Sequence, residues 1–119
     1  MMENLEDYVA ALFGIDTADL FTRTRRREVV DARKVCMAVM RDFTPATLSI
    51  IGSFFKMKHC NVIHGIKSVK ELSLTDKVFK NRVERVYDRV RSNCLYLPFS
   101  CSDEIYSIVM EEDLIAAWQ

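Results

Sequence analysis

The stretch TLSIIGSFFKMKHCNVIHGIKSVKEL, Thr47–Leu72, decides the fold. Apolar residues recur in it at helical spacing twice, first as Leu48, Ile51, Phe54 and Phe55, then as Val62, Ile63, Ile66 and Val69. Between the two sets, Lys56 to Lys58 turn the chain. The spacing predicts a brief helix opening at Ala46 or Thr47, a turn of about three residues, and a second helix from His59 to about Leu72 with its apolar face buried. Two short helices so joined are the outline of a helix-turn-helix.

The flanking sequence continues the helical pattern. Leu5, Val9, Leu12 and Phe13 predict an opening helix that Gly14 stops, and Asp16 is placed to cap a short turn with Leu20 and Phe21 inward. From Thr22 to Arg27 there is no apolar residue, so this run reads as an exposed connection. A long helix follows from about Glu28 to Phe43, with Val29, Ala32, Cys36, Met37, Met40 and Phe43 as its inward stripe, and Pro45 ends it. Beyond Leu72, Ser73 or Thr75 is expected to cap a helix carrying Phe79, Val83, Val86 and Val90 and ending near Ser92. Asn93 to Ser102 reads as an extended crossing that packs on the bundle, and Asp103 is placed to cap a last helix, Glu104 to Trp118.

The 119 residues fit one domain with a single core. The expected class is all-α: a helical bundle over residues 1–92 with an acidic and apolar extension over 93–119. Half the residues are apolar, and only three are Gly and two Pro, which excludes a disordered chain. Acids at Glu3, Glu6 and Asp7 occupy the place of a signal peptide's basic segment, and no apolar run is long enough for a membrane span. Cys36, Cys60, Cys94 and Cys101 show no paired spacing and read as reduced thiols. A cytoplasmic location is the expectation.

The formal net charge is zero, but the charges are segregated. All 17 basic residues lie between Arg23 and Arg91, where seven acids accompany them and leave a net charge of +10. Each flank carries five acids and no base. A neutral total with a strongly basic middle suits a surface that meets phosphate. His59 and His64 stand five apart on a helix and do not share a face, so zinc is not an expected ligand. No phosphate loop of the Gly-x-x-x-x-Gly-Lys-Ser/Thr kind occurs, and no nucleophile with a base stands out, so neither ATP nor an enzymatic role is expected.

Taken in order, Val9-Ala10, Ile15, Ala18-Asp19-Leu20-Phe21, the arginine cluster, Val29 to Arg33, Met37-Ala38, Thr44 and Ile51-Gly52 resemble the carboxy-terminal DNA-binding domain of the bacterial replication initiator DnaA, whose shape is related to the Trp repressor. The resemblance is sharpest at His59, Val62, Ile63 and His64, which match the family's signature Asp-His-Thr-Thr-Val-Leu-His-Ala. It covers roughly residues 5–92.

The resemblance implies double-stranded DNA as partner. It places Arg25 in the minor groove, with Arg23 and Arg27 beside it in the basic loop, and sets Arg33, Lys34 and Arg41 against the phosphate backbone. Lys58, His59, Cys60, Asn61 and Gly65 are to face the major groove, where base edges carry a distinguishing pattern. Departures are local: Lys58 replaces an aspartate, Cys60 and Asn61 replace two threonines, Gly65 replaces an alanine, and one glycine of the turn is missing near Lys56 and Met57. The expected function is sequence-specific binding at DnaA-box-like sites, regulating replication initiation or transcription in a bacterium or a phage. The alternative is an adaptor that keeps the fold, binds DNA weakly and holds a protein partner through its acidic tail.

Overall fold

The computed structural model describes residues 3–98. Its order is β1 (Glu3–Asn4), α1 (Leu5–Phe13), a 3-10 helix (Thr17–Phe21), α2 (Arg27–Phe43), α3 (Leu48–Phe54), α4 (His59–Thr75), α5 (Lys77–Arg91) and β2 (Leu95–Tyr96). The fold is an all-α bundle, with one two-residue strand pair added.

α2 is the axis of the bundle. From Val35 to Met40 every residue is buried, because α1, the 3-10 helix, α3, α4 and α5 all pack around it. A helix enclosed on all sides loses the polar face of a surface helix. The core therefore includes Val35, Ala38 and Val39 as well as Val29, Ala32, Cys36, Met37 and Met40 of the expected stripe, while Phe43 is half-buried at its edge. Around this axis, α1 contributes Leu5, Val9, Ala10 and Phe13, while Phe79, Val86 and Val90 come from α5. Phe13 and Phe79 meet edge to face at 6.3 Å. Phe43 meets Tyr87 at 5.4 Å, and the Tyr87 hydroxyl donates to Asp42 Oδ2 at 2.6 Å.

Short polar side chains set the corners. Thr44 Oγ1 donates to the Met40 carbonyl as α2 ends, and Thr47 Oγ1 accepts from the Ile50 N–H at 3.3 Å to open α3. The cap of α5 is neither Ser73 nor Thr75. Both lie inside α4, which runs to Thr75, and Asp76 Oδ1 accepts from Val78 N–H at 3.0 Å and Phe79 N–H at 3.2 Å. A carboxylate at a helix start is favoured by the dipole as well as by the bonds.

After α5, Leu95 enters the core and its strand pairs in parallel with β1, Glu3 opposite Leu95 and Asn4 opposite Tyr96. The expected extended crossing thus packs on the bundle up to Leu97. The helix expected over Glu104 to Trp118 lies outside the described residues. Among those described, no helix is long and apolar enough to cross a membrane.

Candidate nucleic-acid interface

The basic loop is held from both sides. Phe21, at the end of the 3-10 helix, stacks on Phe55 at 5.6 Å with the rings 16° apart and meets Phe54 edge to face at 5.3 Å. This fixes the start of the loop against the end of α3. From beneath, Arg33 Nε donates to the Leu20 carbonyl at 2.8 Å and its terminal nitrogen donates to the Thr22 carbonyl at 2.5 Å. Within the loop, Thr22 Oγ1 donates to the Asp19 carbonyl at 2.8 Å, and Arg26 N–H donates to Thr24 Oγ1 at 3.3 Å. With its backbone so tied, the loop leaves Arg23 and Arg25 exposed.

The turn between α3 and α4 depends on close backbone approach. Met57 N–H donates to the Gly52 carbonyl at 2.7 Å, and a Cβ on Gly52 would lie 2.5 Å from the Met57 carbonyl oxygen. Only glycine fits there. Val62, fully buried, then seats α4 against α3 and the core. Its neighbours His59, Cys60 and Asn61 occupy the first turn, all exposed, with Lys58 as N-cap residue and no side-chain cap.

Loop and turn face each other across a cleft of about 1030 Å³. Arg23, Arg25, Arg33, Lys56 and Lys58 line it together with Cys60 and Asn61, and no carboxylate does. A second hollow of about 350 Å³ between α2 and α4 is bordered by Lys34, Asn61, His64, Gly65 and Ser68. Lys34 Nζ donates to Ser68 Oγ at 3.2 Å across it. Arg23, Arg25, Lys56 and Lys58 make no ion pair among the described residues. Arg27, at the start of α2, is exposed and pairs with Asp31 at 3.8 Å.

Two expected contacts are corrected. Arg33 is only 4 % exposed, and its guanidinium is committed to two carbonyls, so it supports the loop from inside instead of facing a phosphate backbone. Burial also lowers its pKa without threatening its charge. Gly65 is buried against α2, where a Cβ would meet Met37 Sδ at 3.2 Å and Lys34 Cγ at 3.3 Å, so it cannot be offered to a groove. Ile63, expected inside, is 45 % exposed, and His64 is exposed beside it. Arg41 is exposed in the last turn of α2, outside the cleft.

The structure adds Lys56 to the cleft and Lys67 and Lys70 to the exposed face of α4. Helical spacing carried the signal for Lys67, which stands seven after Cys60 and three after His64. Cys36, the thiol nearest the centre, is fully buried; burial and the nearby Glu6 push its pKa up, which leaves it an inert core residue.

A family model described as the bacterial dnaA protein helix-turn-helix matches residues 2–69, more than half of this chain. The chromosomal replication initiator protein DnaA of Campylobacter fetus subsp. fetus is 29% identical over 92 residues, 76% of this chain and 21% of that protein. Its counterpart from Flavobacterium psychrophilum is 35% identical over 86 residues, 71% of this chain and 18% of its own length. That of a Synechococcus species is 31% identical over 88 residues, 73% and 19%. The chain spans about a fifth of the length of these curated relatives. With the matched region running through α1, α2, the tight turn at Gly52 and most of α4, the chain belongs to the bacterial DnaA helix-turn-helix family.

Proposed function

We propose that this domain binds double-stranded DNA in a sequence-specific manner, with the first turn of α4 in the major groove and the arginine loop on the minor groove and backbone. The observation that carries the reading is the cleft lined by the exposed Arg23, Arg25, Lys56 and Lys58 and by no carboxylate, set beside an exposed helix start. A polyanion gains there from the summed positive charge, and its phosphates gain from the N–H groups and dipole of an uncapped 17-residue helix. Arg23 and Arg25 suit a narrow minor groove, where negative potential is concentrated. Asn61 is exposed, makes no side-chain hydrogen bond among the described residues, and presents both a donor and an acceptor, as bidentate pairing with adenine requires. His59 and Cys60 flank it, Lys58 stands at the helix start, and Lys34 borders the same face from α2.

The relatives' printed name, chromosomal replication initiator, supports DnaA-box-like sites and a role in regulating replication initiation. Transcriptional control through such sites follows from the same binding. The test is an electrophoretic mobility shift of the full chain on random duplexes, followed by selection and sequencing of the bound fraction. Enrichment of one motif is the expected result. Absence of any shift at low salt would overturn the reading.

A further inference from the structure

Among the described residues, three helices end in the same way. At Gly14, Lys56 and Asn93 the backbone has a positive φ, of 70°, 58° and 56°. Each of these residues donates its N–H to the carbonyl three positions back, and the next residue donates to the carbonyl five before it. The pairs are Gly14 to Ala11 with Ile15 to Ala10, Lys56 to Ser53 with Met57 to Gly52, and Asn93 to Val90 with Cys94 to Arg89. This closure satisfies the last carbonyls of a helix and requires a left-handed residue at its pivot.

Glycine takes that conformation without a Cβ penalty, and asparagine takes it several times more readily than most side chains. Lysine has neither property. Glycine and asparagine stand at two of these three pivots and lysine at the third, so Lys56 carries a conformational penalty that the others avoid.

What separates the third pivot is its surroundings. Lys56 is exposed, lines the cationic cleft with Arg23, Arg25 and Lys58, and makes no ion pair among the described residues. Among the described residues the Lys56 side chain makes no hydrogen bond or ion pair that would offset the penalty. Residues held in sparsely populated backbone regions cluster where a ligand is bound. The two hydrogen bonds of the closure also fix the point from which the side chain departs, between α3 and the first turn of α4. An ammonium on a four-carbon stem, launched from a fixed backbone, can reach a phosphate without a planar partner.

We propose that Lys56 is a DNA phosphate contact set in the pivot of the turn, where its binding role opposes its conformational one. The inference rests on the DNA-binding reading above and adds a residue to that site. It requires that one substitution move stability and affinity in opposite directions.

The test uses the full chain as wild type, Lys56→Asn and Lys56→Arg, melted without DNA and titrated by fluorescence anisotropy with a random-sequence duplex over a range of salt. Lys56→Asn relieves the backbone and removes the charge, so it is expected to melt about 4 °C higher. It should bind about eightfold more weakly near 0.1 M salt, with the slope of log affinity against log salt reduced by about 0.9. Lys56→Arg keeps both charge and strain and should match the wild type in melting and in slope. Lys56→Asn with wild-type affinity and slope would overturn the proposal while leaving the DNA reading standing. Lys56→Asn that melts no higher than wild type would overturn the opposition. A wild-type chain that binds no duplex would overturn the DNA reading and this proposal with it.

Discussion

The Nε of Arg33 donates to the carbonyl of Leu20 at 2.8 Å, and so a side chain in the first half of α2 holds the end of the 3-10 helix thirteen residues earlier. A second bond, to the Thr22 carbonyl, makes the same guanidinium the support of the basic loop. The carbonyls at a helix end carry partial negative charge, which compensates a cation taken out of water. Removing the side chain takes this donor from both carbonyls, the one at Leu20 in a buried place. Arg33→Ala is expected to lower stability by about 2–4 kcal/mol in urea unfolding without DNA. A direct phosphate contact would instead leave unfolding unchanged and reduce only the salt slope of binding.

The two glycines of the helix-turn-helix, Gly52 in the last turn of α3 and Gly65 inside α4, are expected to respond with opposite sign. At Gly52 a Cβ meets the Met57 carbonyl oxygen at 2.5 Å, a backbone atom fixed by the returning Met57 N–H, so Gly52→Ala should lose about 1–3 kcal/mol and weaken DNA binding through the turn. At Gly65 the Cβ meets Met37 Sδ and Lys34 Cγ, both on flexible stems. There the gain of alanine over glycine inside a helix, close to 1 kcal/mol, should prevail over a small shift of those stems. Thermal melting of the two variants, side by side, decides the matter.

Base reading and charge separate in the cleft. Arg25→Ala should reduce the salt slope by about 0.9, from a wild-type value of about −3 to −5, and cost more on duplexes with a narrow A·T-rich minor groove than on others. Asn61→Ala should cost about 1–3 kcal/mol on the selected motif and little on random DNA. Equal losses on both duplexes for Asn61→Ala would remove it from base reading.

Stability should fall as pH rises through the slightly acid range, on account of Glu6. Half-buried in the first turn of α1, with an oxygen that finds no hydrogen-bond partner and with Asp7 beside it, its carboxyl is pushed up to about 7 from an ordinary 4.5, chiefly by burial. The folded state therefore holds a proton that the unfolded state releases above 4.5. By linkage the stabilisation is complete below that value and declines until the folded group has titrated near 7. Glu6→Gln should flatten this decline and raise the melting point at pH values above 7, as denaturation followed across pH would show.

The helix pair and the exposed arginine loop were legible because each has a local signature: a repeated apolar spacing in Thr47–Leu72 and an apolar gap over Thr22–Arg27. The role of Arg33 was not, because residue type argues for exposure. Its position argues otherwise, four after Val29 and three before Cys36, within the buried stripe. Gly65 was misplaced because a resemblance carries over sequence position and not the direction a side chain faces. The burial of Val35 and Val39 depends on how many helices surround α2, a property of the assembled bundle. The strand pair has only two residues on each side, too few to show a period of two.

The pairing of Glu3–Asn4 with Leu95–Tyr96 has a mechanical consequence. Residues 3–96 therefore close on themselves at one seam. A short linker joining the two strands should permit circular permutation, with new ends opened at the exposed Leu74–Thr75, ahead of the Asp76 cap. Parting the two strands would also draw Leu95 from the core, so seam and core are coupled.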